Sequence, residues 1–309
     1  MLLTAALSVL AMILDSLLGE ARRFHPLVGF GHYAQWLKRK CYPAKDATPS
    51  QLFFRGALCW CCAVLPWVGI AMVWIAFAPT WLVLGSSVVI LYLAIGARSL
   101  AEHGLNVAQP LLQGNLEHAR EQLSRIVSRD TQKLTQEQVA TATVETVIEN
   151  THDAVIAPLV WFAIAGLPGV VLFRLSNTLD AMWGYKNTEF LYFGRCAARV
   201  DDVLGWLSAR VTVVLFSCIK LRALKQAMVL GRQWYSPNAG PVMAAGGAVL
   251  HVNLGGDAIY HGEKKSRPCL SEGVPANVRH IQQAIRIMYV SAYLWLALIG
   301  LVGATAWLY

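Results

Sequence analysis

The chain has 309 residues, of which 56% are hydrophobic and only 14% are charged, and its mean hydropathy is +0.47. This composition is typical of an integral membrane protein and excludes an ordinary soluble globule. The net charge of +8 fits basic loops at an anionic membrane surface, and no aromatic-basic motif favours nucleic-acid binding. The scattered histidines and the cysteines, three of them within a predicted span, favour packing over a zinc site or a disulfide framework.

Long apolar runs predict the membrane helices. Met1–Leu18 is apolar apart from Asp15 and predicts a retained N-terminal anchor, because its positive charges follow the apolar run. Residues 56–97 contain 42 positions without a charged side chain. Because one span needs roughly 20 residues, this run predicts two helices with Ala78-Pro79-Thr80 as the turn. Ile287–Tyr309 predicts a further membrane helix.

Two other apolar stretches, 154–173 and 203–219, contain features that disturb a simple span. The first contains Pro158 and the sequence G-L-P-G, which interrupt helical hydrogen bonding, and the second contains Arg210. Each either crosses the membrane or forms a broken or re-entrant element covered by protein. We therefore predict an all-α, polytopic integral membrane protein that forms a single membrane-embedded domain over 1–309. It has about four to six membrane helices, some of which can be broken or re-entrant, and helical cytoplasmic segments.

Positive charges orient the chain. Residues 19–55 hold seven Lys and Arg against two acids, and residues 220–286 hold nine against three. The positive-inside rule places both segments in the cytoplasm. The two helices within 56–97 then return the polar segment 98–153 to the same side.

The polar segment 98–153 is helical by pattern. Asn115 is a good N-cap, and Thr135-Gln136-Glu137-Gln138 has the form of a capping box that starts a second helix. On that helix four polar side chains spaced four residues apart share one face: Thr141, Glu145, Glu149 and Asp153. One interpretation is a solvated acidic face. The other is a buried site, because the stack runs into an apolar stretch, and these carboxylates with Asn150 suit Mg²⁺.

A second polar cluster follows the stretch 154–173. It comprises Asn177, Thr178, Asp180, Tyr185, Lys186 and Asn187, with Gly184 as the predicted end of a helix. Arg199, Asp202 and Arg210 come next along the chain. Arg and Lys are the usual partners of phosphate, although salt bridges between Arg199 and its acidic neighbours are the alternative.

The Gly-rich polar segment 220–286 contains S-P-N-A-G at 236–240, two glycines at 246–247 and two at 255–256. These glycines allow either a close approach of the backbone to a ligand or ordinary turns. The chain contains neither a P-loop nor a dinucleotide-binding fingerprint.

Together these motifs resemble the CobD/CbiB family of cobalamin biosynthesis, the adenosylcobinamide-phosphate synthases. The resemblance runs in order through almost the whole chain: His25-Pro26 with Gly29, Arg129-Asp130-Thr131, E-T-V-I-E-N at 145–150 with Asp153, Ala157-Pro158-Leu159, N-T-L-D at 177–180, G-Y-K-N at 184–187, Ala198-Arg199 with Asp201-Asp202, Ala209-Arg210, and S-P-N-A-G at 236–240. There are departures as well, since the family usually has Gly-Asp-Pro where this chain has Gly19-Glu20-Ala21, Gly at the position of Ala154, and Pro at that of Ser208.

The resemblance implies an ATP- and Mg²⁺-dependent amide ligase of the bacterial inner membrane. Such an enzyme joins a propionate carboxyl of adenosylcobyric acid, a corrinoid substrate, to aminopropanol phosphate or a related phosphorylated amino alcohol, and other late cobalamin-biosynthesis enzymes are candidate partners. The expected Mg²⁺ ligands are Glu149, Asp153 and Asp180, and the expected phosphate partners are Lys186, Arg199 and Arg210. The expected general base is Glu145 or Asp202. The remaining expected substrate contacts are Asn150, Asn177, Thr178, Tyr185, Ser236 and Asn238.

Two other function classes remain open on the sequence. A membrane transporter would also bury ionisable groups beside broken helices, although no internal repeat is visible. A non-catalytic signalling or scaffold relative of the family would not need the full set of acidic and basic motifs. If the chain is the ligase, residues 174–202 must reach ATP in the cytoplasm, so we expect them to fold back rather than lie outside.

Overall fold

The computed structural model describes residues 1–20, 25–42, 47–185, 187–260 and 263–308. These residues are mostly helical. The α-helices, numbered in chain order, are α1 (Leu2–Leu18), α2 (Pro26–Cys41), α3 (Pro49–Phe77), α4 (Thr80–Ala94), α5 (Ala97–Leu112), α6 (Leu116–Ser124), α7 (Gln136–Thr151), α8 (Ala157–Trp183), α9 (Arg195–Ile219), α10 (Arg222–Val229), α11 (Ala239–Leu250) and α12 (Val278–Leu308). A π-helix, His152–Ile156, joins α7 to α8, and a 3₁₀ turn, Gly231–Gln233, precedes α11.

Four short strands form two antiparallel pairs. Strand β1 (Leu254–Gly255) pairs with β4 (Cys269–Ser271), and β2 (Ala258–Tyr260) pairs with β3 (Glu263–Lys265). Each strand has two or three residues, so the all-α prediction is confirmed.

Five helical stretches of the described chain are long and apolar enough to cross a membrane: Pro49–Phe77, Thr80–Leu112, Gln136–Trp183, Arg195–Ile219 and Val278–Ala306. Helix α1 is apolar but shorter. These spans are those of a multi-pass membrane protein, and their number agrees with the predicted four to six. The predicted turn in 56–97 is also confirmed, because α3 ends at Phe77 and α4 begins at Thr80.

The uncertain stretches have different structures. Helix α8 is kinked at Gly166, whose φ of 58° lies in the left-handed region that L-residues with a side chain avoid. The predicted interruption is therefore real, and the helix continues beyond it as far as Trp183. The other stretch lies within α9, which is continuous through Arg210.

The chain forms two compact units. The first contains Met1–Ile95, Ala157–Gly205 and Ile299–Tyr309, and the second contains Gly96–Ile156 and Trp206–Leu298. The expectation of a single membrane-embedded domain over 1–309 stays a prediction.

In the first unit, α3 packs on α8 and α2, and α1 packs on α4. Buried aromatic side chains, among them Phe30, Trp183 and Phe193, form its core. At Gly56 an added Cβ would lie 1.9 Å from the carbonyl oxygen of Phe193, so only glycine allows this close approach.

In the second unit, α11 is buried at every one of its 12 positions. The expectation that 220–286 is a polar segment is thus wrong for 239–250. Gly246 lets α11 lie against α7, because an added Cβ would come within 2.4 Å of Ile148. These helical glycines therefore serve packing. Lys220 and Arg222 bind the carbonyls of Val249 and Ala248, at 2.7 and 2.6 Å, and so satisfy the C-terminal end of α11.

Candidate active site

The acidic face of α7 begins with Glu145, which is only 2% exposed. Its Oε1 accepts hydrogen bonds from the backbone N–H of Gly255, at 2.8 Å, and from Arg267 Nη2, at 3.2 Å. Its Oε2 accepts a bond from Arg129. The face is therefore not solvated at this position, and two guanidinium groups supply the opposing charge that a stack of carboxylates requires.

These contacts determine whether Glu145 is suited to be a general base or a structural carboxylate. A general base needs an oxygen that can reach the proton of a substrate, whereas both oxygens of Glu145 are engaged inside the protein. Arg267 is itself held by the carbonyl of Gly256, at 2.8 Å, and lies over the Trp234 ring. The geometry suits a structural carboxylate that ties α7 to the β1–β4 region, and the role of base stays a prediction.

Glu149 and Asp153 continue the same face and are both partly exposed. Asp153 lies in the π-helix, where Oδ1 is 2.6 Å from His152 Nδ1. The Nε2 atom of that buried imidazole is 2.9 Å from Ser208 Oγ on α9. In the tautomer that satisfies both contacts, Nδ1–H donates to Asp153 and Nε2 accepts from Ser208. Such π-helical insertions are frequent at functional sites, because they re-aim one side chain.

The donor set on this face fits Mg²⁺. Within the described ranges no group of three or more His, Cys, Asp or Glu side chains could hold a metal by itself. Mg²⁺ is commonly held by one or two carboxylates, with substrate phosphates and water as the other ligands. Glu149 and Asp153 supply two carboxylates one turn apart, which is the number required. The amide nitrogen of neighbouring Asn150 binds the Thr146 carbonyl at 2.9 Å.

A second set of predicted residues gathers at the start of α11. Arg210 Nη1 donates to the carbonyl of Pro237, at 3.0 Å, and to Asn238 Oδ1, at 3.2 Å. Its guanidinium also lies 4.6 Å from the centre of the Trp206 ring. Ser236 Oγ accepts hydrogen bonds from the backbone N–H groups of Asn238, at 3.3 Å, and of Ala239, the first residue of α11, at 3.2 Å. The structure thus brings Arg210, Ser236 and Asn238 together at the N-terminus of α11, whose first N–H groups are bound to Ser236.

The third set lies in the first unit, near the end of α8. Asn177 Nδ2 donates to Asp201 Oδ1 at 3.2 Å, and Asn177 Oδ1 accepts from Arg174 Nη1 at 3.4 Å. The Thr178 hydroxyl binds the Arg174 carbonyl within the helix, at 2.8 Å. This network orients Asn177, whereas Thr178 has a bond that any helical Thr can make.

Asp180 lies in the last turn of α8. The N–H of Gly184 donates to the carbonyl of Asp180 at 2.7 Å, which confirms the predicted helix end. An added Cβ on Gly184 would lie 2.1 Å from Asp180 Oδ1, so glycine makes room for this carboxylate. Tyr185 and Arg199 are exposed, and Asp202 is partly buried. Lys186 lies outside the described residues.

A model of the family described as CobD/Cbib protein matches residues 8–288. The chain belongs to the CobD/CbiB family. "Cobalamin biosynthesis protein CobD" of Stutzerimonas stutzeri (strain A1501) is 47% identical to it over 301 residues, which cover 97% of each chain. The protein of the same name from Chromobacterium violaceum is 45% identical over 305 residues, covering 94% of this chain and 93% of the relative. That of Halalkalibacterium halodurans is 34% identical over 309 residues, covering 96% and 95%. No solved structure matches this chain.

Membership of the CobD/CbiB family places the chain in cobalamin biosynthesis. Sequence reasoning missed the contacts made by Arg267, His152 and Ser208. His152 directly precedes Asp153 in the E-N-T-H-D motif, and this adjacency could have been used to predict a contact between them. Arg267 is in a polar loop with no periodicity, and nothing local connects it to Glu145, which is 122 positions away.

Proposed function

We propose that this CobD/CbiB chain is an ATP- and Mg²⁺-dependent amide ligase of the bacterial inner membrane. It joins a propionate carboxyl of adenosylcobyric acid to the amine of aminopropanol phosphate, or of a related phosphorylated amino alcohol. The observation that carries the proposal is the hydrogen bond between His152 and Ser208. It connects the segment that holds Glu149 and Asp153 to the helix that holds Arg210, so the carboxylates and a cation that is expected to bind phosphate occur within one unit.

The reaction needs activation because a carboxylate is a poor acyl donor. A propionate oxygen attacks the γ-phosphorus of ATP, the bond to the β-phosphate oxygen breaks, and ADP leaves. The amine nitrogen then attacks the acyl carbon of this acyl phosphate, inorganic phosphate leaves, and the amide forms. The amine must lose two protons overall, one of them from its ammonium form before attack.

The residues of the second unit fit the charges of this reaction. Glu149 and Asp153 would hold Mg²⁺, which neutralises phosphate charge when it is bound. The His152 imidazole binds Oδ1 of Asp153, and this contact fixes the orientation of the carboxylate. Arg210 would bind phosphate oxygens, with Ser236 and Asn238 holding the loop in place.

The residues of the first unit keep the roles expected from the family resemblance. Asp180 is expected to serve Mg²⁺, and Lys186 and Arg199 are expected to bind phosphates. Glu145 or Asp202 is expected to serve as the base, although the oxygens of Glu145 are engaged by arginines and a backbone N–H.

The direct test is an assay with the purified chain in lipid nanodiscs, supplied with adenosylcobyric acid, aminopropanol phosphate and Mg-ATP. We expect the corrinoid to gain the mass of the amino-alcohol phosphate minus water, with one ADP released per amide. Glu137→Gln, in the first turn of α7 and outside the motifs that carry the family resemblance, is the matched control variant and should retain this activity. Amide formation that needs no ATP, or no mass gain with active substrates, would contradict the proposal. Counterflow of a labelled corrinoid in vesicles without ATP would instead favour a transporter.

A further inference from the structure

The first unit contains a large apolar cavity that none of the proposed catalytic residues lines. It has a volume of about 760 Å³, which lies within the roughly 300–1,000 Å³ typical of small-molecule sites. Its walls come from α2, α3, α4 and α8. Trp67 and Trp74 line it from α3, a candidate membrane span, and are 47% and 39% exposed. The cavity therefore opens on a surface that would face the hydrocarbon of a bilayer.

One part of the cavity wall is polar and cationic. Arg174 of α8 and His25, the N-cap of α2, both line the cavity. The backbone N–H of Leu27 donates to His25 Nδ1 at 3.2 Å, so the first turn of α2 is at the cavity as well. The first-turn N–H groups of α2 are engaged by His25, so the positive charge in this part of the wall is that of the Arg174 guanidinium.

The protonation of His25 agrees with this arrangement. Burial lowers the pKa of His25 from its ordinary value. The Glu20 carboxylate raises this pKa and the Arg174 guanidinium lowers it, so both charges are close to the imidazole. A neutral imidazole keeps Nδ1 as an acceptor for the start of α2. Glu20 is not among the residues that line the cavity, whereas Arg174 is.

We propose that this cavity binds an anionic phospholipid, with an acyl chain in the apolar part and the phosphate at Arg174. The apolar walls exclude a polar metabolite from most of the volume, and the opening within a membrane span gives an acyl chain a lateral route. Basic pockets between membrane helices characteristically bind anionic headgroups at the cytoplasmic side. The positive-inside rule predicts that side for residues 19–55, which include His25. The inference does not depend on the proposed ligase activity.

Two glycines give a matched pair of variants. Gly29 lines the cavity, and a Cβ added there would meet no atom within 4 Å, so Gly29→Leu can place a side chain in the cavity without a collision at Cβ. Gly85 on α4 has equally open space and does not line the cavity, so Gly85→Leu is the control. Arg174→Gln removes the cation and keeps most of the side-chain volume.

The experiment measures bound lipid by native mass spectrometry after the protein is equilibrated with vesicles of equal parts phosphatidylglycerol and phosphatidylcholine. We expect wild type and Gly85→Leu to retain phosphatidylglycerol severalfold over phosphatidylcholine. Gly29→Leu should lose the bound lipid, and Arg174→Gln should retain lipid without the preference. If Gly29→Leu does not fold, the preference of Arg174→Gln decides alone.

Three results would overturn the proposal. One is a wild-type protein that retains neither lipid or shows no preference between them. Another is a Gly29→Leu variant that folds and retains phosphatidylglycerol as wild type does. The last is displacement of the lipid by adenosylcobyric acid together with loss of corrinoid binding in Gly29→Leu, which would assign the cavity to the corrinoid.

Discussion

Replacement of Glu145 by Gln separates the structural role of this carboxylate from a catalytic one. The carboxylate is buried and neutralises Arg129 and Arg267, which are themselves mostly buried. Gln keeps an oxygen that can accept from the N–H of Gly255 but removes the negative charge. Two guanidinium groups then lie in a poorly solvated environment without their counter-charge.

The expected cost follows from that burial. Removal of one partner from a buried ion pair typically costs about 3–5 kcal/mol, because an uncompensated charge is left inside the protein. Since Gln retains one hydrogen-bond acceptor, we expect a loss near the lower end, about 3 kcal/mol. A conversion of roughly 2–4 °C per kcal/mol turns this loss into a fall in melting temperature of about 6–12 °C.

The assay is thermal unfolding of the purified variants in detergent, followed by tryptophan fluorescence. Glu102→Gln is the matched control, because Glu102 pairs with Arg98 at 2.8 Å on the exposed surface of α5. An exposed pair of this kind is worth only about 0–1 kcal/mol. The double variant Glu145→Gln/Arg129→Gln should lose less stability than the sum of the two single variants, because it also removes one of the buried cations that Glu145→Gln leaves unpaired.

The reasoning would be refuted by Glu145→Gln with an unchanged melting temperature and no ligase turnover. That result would mean that the two arginines do not depend on the carboxylate for stability. It would return Glu145 to the role of general base, which the sequence had suggested.

Four further predictions concern other residues of the candidate site and the topology. Asp180→Asn keeps the size of the side chain but removes the charge expected at Mg²⁺, so turnover should fall at least roughly a hundredfold with the melting temperature unchanged; near-normal turnover would remove it from the site. Gly184→Ala should lower turnover in the same assay, because its Cβ would lie 2.1 Å from the Asp180 carboxylate; full activity would show that the position of this carboxylate is unimportant. Ser208→Ala leaves the buried His152 Nε2 without its donor and should cost about 1–3 kcal/mol in unfolding experiments, and equal stability would argue against the hydrogen bond. Thr188→Cys, in the polar connection after α8, should resist an impermeant thiol reagent added outside intact cells, and ready labelling would overturn the expectation that 174–202 fold back.

Local chemistry made much of the fold predictable. Asn115 accepts from the backbone N–H of His118, and Thr135 and Gln138 form the predicted capping box. The partners in these contacts are only three residues apart, so both can be recognised in one short stretch of sequence. The membrane spans are likewise predictable from uncharged runs, because the burial of a segment in lipid depends on that segment's own composition.

Long-range partners could not be predicted in this way. Glu145 meets Arg267 only because α7 and the strands after α11 pack in one unit, and no spacing rule connects positions so far apart. The buried helix α11 was not predicted, because charged residues on both sides of it make the whole segment 220–286 polar on average. The glycines at 246–247 were compatible with either ordinary turns or a close approach to a ligand, whereas they allow close packing against Ile148 and Ser271.

The most direct measurement of the central claim uses adenosylcobyric acid with ¹⁸O in its free propionate carboxyl, incubated with the purified chain, Mg-ATP and aminopropanol phosphate. Activation through an acyl phosphate transfers one carboxyl oxygen to the released phosphate. We predict that mass spectrometry shows the corrinoid amide and one ¹⁸O in inorganic phosphate for each amide formed. Absence of the amide with active substrates would contradict the ligase assignment, and ¹⁸O found in AMP rather than phosphate would contradict the acyl-phosphate route.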